Sequence, residues 1–155
     1  MKLQSLSMLL VSLGLLALCV ELAAATPDQW PRFRGADGTG ITGGEKLLPS
    51  WTTEDWTWQV DLPGIGHSSP IVWNGKIYLT SADEDNKVRH LFCHDLYTGK
   101  LAWTQEFPGE IERHHKQNSS ASSTVTADSR SIYWLWGTSQ NVRLEAMTHD
   151  GEMRW

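Results

Sequence analysis

The chain repeats itself, and this constrains its fold more than any other feature. HSSPIVWNGKIYLTSA at 67–82 aligns with ASSTVTADSRSIYWLWG at 121–137, matching Ser68-Ser69 with Ser122-Ser123 and Ile77-Tyr78 with Ile132-Tyr133. LFCHDLYTGKLAW at 91–103 then aligns with LEAMTHDGEMRW at 144–155, matching Gly99 with Gly151 and Trp103 with Trp155. A partial third copy precedes both, because WQVDLPG at 58–64 matches WTQEFPG at 103–109. Trp58, Trp103 and Trp155 thus share one repeat position. Self-similarity at a fixed period marks units that bury their faces on their neighbours rather than folding alone.

Each unit reads as four short strands. Ser69 to Trp73 is the first. Asn74-Gly75, a strong two-residue hairpin signal, leads into Lys76 to Ser81, where Ile77 and Leu79 alternate with Tyr78 and Thr80. A charged loop at Asp83 to Lys87 precedes a third strand, Val88 to His94. Thr98-Gly99 turns the chain into a fourth, Leu101 to Phe107. The second copy predicts strands near 122–127, 131–136 and 142–147, with a fourth starting at 152–155. No helix is expected after residue 25. A four-stranded meander recurring at about 45–55 residues predicts an all-β fold, a partial β-propeller of four-stranded antiparallel blades. About two blades are present. The chain reaches Trp155 inside a strand, so it reads as the N-terminal part of a longer protein.

The first 25 residues read differently. Met1-Lys2 is a short positive start, Leu3 to Val20 is almost continuously apolar, and Ala23-Ala24-Ala25 is a small-residue cleavage pattern. Residues 1–25 are therefore expected to be a secretory signal peptide, with a retained anchor or a lipidated Cys19 as alternatives. Leu18 stands where a lipobox needs Gly or Ala. Residues 26–57 form an N-terminal extended segment and 58–155 the repeat domain. After cleavage no transmembrane span remains. Cys93 is then the one cysteine, so packing rather than a disulfide must hold the fold. Cys93 is expected to be unpaired and at least partly buried, alternating with Leu91. A net charge of -5 excludes a basic nucleic-acid-binding face. At 40% hydrophobic and 20% charged residues the composition is that of a globular chain, but nine tryptophans are many for its length.

DLYTGKLAW at 95–103 resembles the repeat of pyrroloquinoline-quinone (PQQ)-type β-propellers, which ends in an aspartate, a Thr-Gly turn, a basic residue and a Trp. WPRFRGADGTGI at 30–41 and GHSSPIVWNGKIYLT at 66–80 are similar to segments of secreted planctomycete-type repeat proteins of that kind. The resemblance covers most of residues 28–155. The second copy departs from it, with His149-Asp150-Gly151-Glu152 at the turn and Met147-Thr148 for the aspartate. Quinone-binding members resemble one another in an adjacent cysteine pair and a calcium held by Glu, Asn and Asp, and this sequence has no adjacent cysteines. No catalytic or cofactor-binding residue is assigned.

The metal candidates are histidines. His114-His115 lies in the connection between the two copies, and His67 holds the equivalent place before Ser68-Ser69. Three imidazoles converging near a propeller axis could hold zinc. The alternative is that this stretch, with Ser68, Ser119 and Ser122, hydrogen-bonds the first strands into place. Neighbouring His114 and His115 cannot reach one metal from an extended strand. Asp83-Glu84-Asp85-Asn86 lacks the glycine turn and later Glu of a calcium loop and reads as a hairpin loop. Gly35 to Gly40 reads as a turn rather than a phosphate loop, and Asn118-Ser119-Ser120 fits a glycosylation sequon. The sequence thus predicts an exported, non-catalytic binding or scaffolding protein of the periplasm or cell exterior. Its partner would be an envelope or extracellular protein or a small ligand. The alternatives are part of a PQQ- and calcium-dependent dehydrogenase, or a relative of the propeller subunit that assists outer-membrane barrel assembly. Its isolated blades are expected to leave uncovered faces lined by Trp73, Trp134 and Trp136.

Overall fold

The computed structural model describes residues 29–42, 49–111, 115 and 117–155. The predicted leader, Cys19 included, lies outside them. No helix among the described residues is long and apolar enough to cross a membrane. The fold is all-β. The first sheet carries β1 (Ile71–Trp73), β2 (Lys76–Asp83), β3 (Val88–Asp95) and β4 (Leu101–Pro108), antiparallel and in sequence order. The second carries β5 (Thr126–Ala127), β6 (Ile132–Gly137) and β7 (Val142–Met147) in the same order. Met153 makes an isolated bridge to Met147 beside β7, where a fourth strand is expected. A single 3₁₀ turn, Thr53–Asp55, is the helical element among the described residues, closed by reciprocal hydrogen bonds between Thr52 and Asp55.

Local chemistry explains the strand ends. Asn74 and Gly75 both take positive φ, as the tight β1–β2 hairpin requires. After β3, the Asp95 carboxylate accepts hydrogen bonds from the Thr98 hydroxyl at 2.7 Å and from the Thr98 and Tyr97 amides. Those contacts, led by the Thr98 hydroxyl, hold its pKa below the ordinary carboxylate range. In the second sheet the Thr148 hydroxyl accepts from the Asp150 and Glu152 amides instead. One turn therefore tolerates either side chain, because each offers an oxygen acceptor to nearby N–H groups. The Asp83 carboxylate likewise binds the Asn86 amide and side chain across the β2–β3 loop.

Alternation decides which face is buried. Tyr78, Leu91 and Cys93 of the first sheet join Val125, Ala127, Ile132, Trp134 and Met147 of the second in one core, with Trp73, Trp103, Phe107 and Trp136 packed against it. Cys93 is free and fully buried. The expectation that Trp73, Trp134 and Trp136 line uncovered faces is corrected here. Trp134 is 1% exposed and meets Phe107 edge-on, and Trp73 and Trp136 are partly buried against the core. The reason is the period of two: Trp134 and Trp136 share the face of Ile132, which turns toward the first sheet. The opposite face carries Leu135 and its cross-strand partner Leu144, with Val142 beside them, all exposed.

The N-terminal segment also joins this framework. Trp30 exchanges backbone hydrogen bonds with Val72, and Pro31 accepts from the Ala127 amide. Ile65 pairs with Ala82 at the end of β2. Gly64 has no room for a side chain there, since a Cβ would lie 2.2 Å from the Ala82 carbonyl oxygen.

Candidate functional site

The repeat-position tryptophans and glycines meet in pairs. The Trp58 indole lies so close to Gly99 that a Cβ there would sit 2.6 Å from the ring, and its Nε1 donates to the Leu96 carbonyl at 2.9 Å. The Trp103 indole lies against Gly151, where a Cβ would sit 2.8 Å away, and its Nε1 donates to the His149 carbonyl at 3.1 Å. Both glycines have positive φ, so two independent constraints exclude a side chain at each. Trp103 lies on β4, whereas Trp58 lies in irregular backbone and Trp155 beside β7, where its carbonyl accepts from the Ala146 amide.

The segments preceding β1 and β5 meet edge to edge. The His67 and Ser68 amides both donate to the Ala121 carbonyl, and the Ser69 amide donates to the Thr124 hydroxyl at 3.0 Å. Ser68 Oγ is bonded to Thr80. The Ser122 hydroxyl donates to the Asn118 side-chain oxygen and accepts from the Ser119 amide. These contacts tie the entry to β1 to the segment before β5.

The His67 and His115 side chains are exposed, and His114 lies outside the described residues. His115 Nδ1 accepts from the Gln117 amide. No group of three or more His, Cys, Asp or Glu among the described residues is placed to hold a metal ion.

A cleft opens next to this seam. Its volume is about 270 Å³, and its walls come from β3, from residues 118–123 and from the end of β6. Arg89 forms the inner wall at 1% exposure. Its Nη2 donates to the Glu110 carbonyl at 2.9 Å, and its guanidinium lies 4.9 Å from the Trp136 ring centre, a cation–π contact. The rest of the wall is polar and small: Asn118, Ser119, Ser120, Ser122, Ser123 and Thr138, closed by Leu135 and Gly137. Sequence reasoning missed Arg89. Its signal was available, because it shares the inward register of Leu91 and Cys93, where a cation interrupts an apolar row.

The turn of the second repeat carries a further network. His149 Nε2 lies 2.8 Å from the Asp128 carbonyl oxygen, which can only accept, so Nε2 bears the proton. In the neutral ring Nδ1 is then an acceptor, and the Tyr78 hydroxyl donates to it at 2.9 Å. Burial raises the Tyr78 pKa above its ordinary value, which keeps the phenol protonated as that donor. Lys76 Nζ donates to the His149 carbonyl and pairs with Asp150 at 3.0 Å. No protein-family model matches this chain, and no curated protein is significantly similar to it.

Proposed function

We propose that this chain is an exported β-propeller-repeat protein whose role is binding or scaffolding in the cell envelope. The observation that carries the repeat reading is the recurrence of one contact. Trp58 rests on Gly99 and Trp103 on Gly151, with an indole N–H to a turn carbonyl each time. Stacked units linked this way present loops and inter-unit clefts along one surface, which suits recognition. The polar cleft at Arg89 supports binding of a small ligand, and the apolar leader 1–25 supports export.

Two measurements test this. A reporter active only outside the cytoplasm, fused after residue 25, is expected to be active; an inactive fusion overturns export. The purified protein, supplied with calcium and PQQ, is expected to give no dye-linked alcohol oxidation. Turnover under those conditions replaces the binding role with a quinone-dependent dehydrogenase.

A further inference from the structure

We propose that Asn74 is a self-modification site, whose side chain cyclises onto the Gly75 main-chain nitrogen and hydrolyses to aspartate and isoaspartate, opening the β1–β2 hairpin. This goes beyond the binding role above and does not rest on it.

The sequence supplies the reactive pair. The asparagines are Asn74, Asn86, Asn118 and Asn141, and Asn74 alone precedes a glycine. Glycine has no Cβ to shield its main-chain nitrogen. Lys87, Ser119 and Val142 follow the other three, and their side chains crowd that nitrogen.

The fold supplies access. Pairing of β1 with β2 ends at Trp73 and Lys76, so Asn74 and Gly75 stand outside the ladder. Asn74 is exposed. Rotation at the tip, which brings the Gly75 nitrogen to the Asn74 Cγ, has no strand pair to break first. Gln29 Nε2 donates to the Asn74 side-chain oxygen at 3.4 Å. Negative charge gathers on that oxygen during attack, so the donor sits on the right atom. Asn86 is held differently, with its Nδ2 donating to the Asp83 carboxylate at 2.8 Å.

The chemistry balances with water alone. The Gly75 nitrogen loses its proton to hydroxide and attacks the Asn74 Cγ. The new C–N bond closes a five-membered imide as the Cγ–Nδ2 bond breaks, and Nδ2 takes up a proton and leaves as ammonia. Water then opens the imide at either carbonyl. One opening gives aspartate; the other gives isoaspartate, in which the main chain runs through Cβ and Cγ and is one carbon longer. No electrons are transferred, and the chain gains one negative charge.

The longer product does not fit its place. A two-residue turn matches one backbone length, so the Trp73–Lys76 pair cannot keep its register around isoaspartate. Lys76 opens β2, and its Nζ donates to the His149 carbonyl at 2.9 Å and pairs with Asp150 at 3.0 Å. The Gly75 carbonyl accepts from the Leu96 amide at 2.8 Å. Displacing the turn therefore loosens a link between the two sheets and a link to the β3–β4 turn.

The test incubates the purified chain in buffer at pH 8 and 37 °C and follows each asparagine peptide by mass spectrometry. A one-dalton gain is expected at Asn74 ahead of Asn86, Asn118 and Asn141, with isoaspartate in that peptide detected by isoaspartyl methyltransferase labelling. The rate is expected to rise with pH and to fall tenfold or more in Gly75→Ala. Because Gly75→Ala also strains the turn, Asn74→Gly provides an independent arm. It keeps a Gly-Gly hairpin and removes the amide. Its melting temperature is expected to stay constant through the incubation, while that of the native sequence falls as isoaspartate accumulates. No gain at Asn74 in the folded protein, under conditions in which the urea-unfolded protein converts, would overturn the proposal. So would equal conversion at Asn86 or Asn141, a rate unchanged in Gly75→Ala, or a melting temperature that stays constant in the converted native sequence. None of these outcomes bears on export or binding, so the proposed function stands or falls separately.

Discussion

Tyr78 on β2 and His149 in the turn after β7 are joined by a hydrogen bond of 2.9 Å that ties the first sheet to the second. The tautomer of His149 is fixed by its other nitrogen, which donates to the Asp128 carbonyl. Replacing Tyr78 by Phe keeps the ring and its packing against Trp103 but removes the donor. The unmatched Nδ1 then costs about 1–3 kcal/mol if it stays dry. Urea denaturation of Tyr78→Phe is expected to show that loss. A ¹⁵N spectrum of the native protein is expected to show His149 as the Nε2–H tautomer.

Gly151→Ala and Gly99→Ala are each expected to destabilise by about 1–3 kcal/mol from backbone conformation alone, with further loss from the clash against the indole. The two terms can be separated. Trp103→Leu reduces the obstruction over Gly151, so the double variant Trp103→Leu/Gly151→Ala should be less destabilised than the sum of its parts. Strict additivity by denaturation would show that ring and glycine do not press on each other.

Much of this was legible in the sequence because it depends on short-range rules. The Asn74-Gly75 hairpin and the alternation through β2 and β3 need only neighbouring residues, and β3 begins at Val88 as its pattern requires. The face assignment of Trp134 and Trp136 was not legible. Both faces of β6 are apolar, Ile132, Trp134 and Trp136 against Tyr133 and Leu135, so alternation gave no polar side to mark solvent. The cleft was hidden for a related reason. Its walls lie as far apart in sequence as Arg89 and Thr138, and its serines have the composition of an ordinary loop. Two of the three candidate histidines, His67 and His115, keep exposed side chains, and His115 Nδ1 accepts from the nearby Gln117 amide.

Cys93 is expected to react slowly in the native state. It is fully buried, and that burial pushes its thiol pKa up to about 11 from 9.0. Only the thiolate is nucleophilic, so little of the reactive form is present near neutral pH. Labelling with a maleimide should be slow in buffer and fast in denaturant. Equal rates in both would contradict the burial of β3.

Stability is expected to fall in acid. The carboxylates of Asp95 and Asp128 are held below their ordinary range, Asp95 chiefly by the Thr98 hydroxyl and Asp128 chiefly by the Arg130 amide. Groups with a depressed folded pKa stabilise fully above their unfolded value, about 3.9, and lose that contribution as pH drops through the folded value. Melting temperature should therefore change little through these groups from pH 7 to 5 and decline below about pH 4. Asp95→Asn keeps an acceptor oxygen for Thr98 but removes the titration, so it should flatten the acid limb.

The last expectation concerns association. Leu135, Leu144 and Val142 form an exposed apolar group on the outer face of β6 and β7, with exposures of 46%, 55% and 75%. Leu135 and Leu144 are directly opposed across the strands, so the group is continuous rather than scattered. Trp155, 61% exposed, lies on the same outer face, against Tyr133. Contiguous apolar surface of more than a few hundred Å² usually draws a partner. Each large side chain buried there gains about 1.5–3 kcal/mol. Sedimentation velocity of the purified protein is expected to show concentration-dependent self-association. Leu144→Lys places a charge at the centre of the group without touching the inward face, and should shift the distribution toward monomer while leaving the melt intact. A monomer at all concentrations, or association unchanged by Leu144→Lys, would remove this face as the cause.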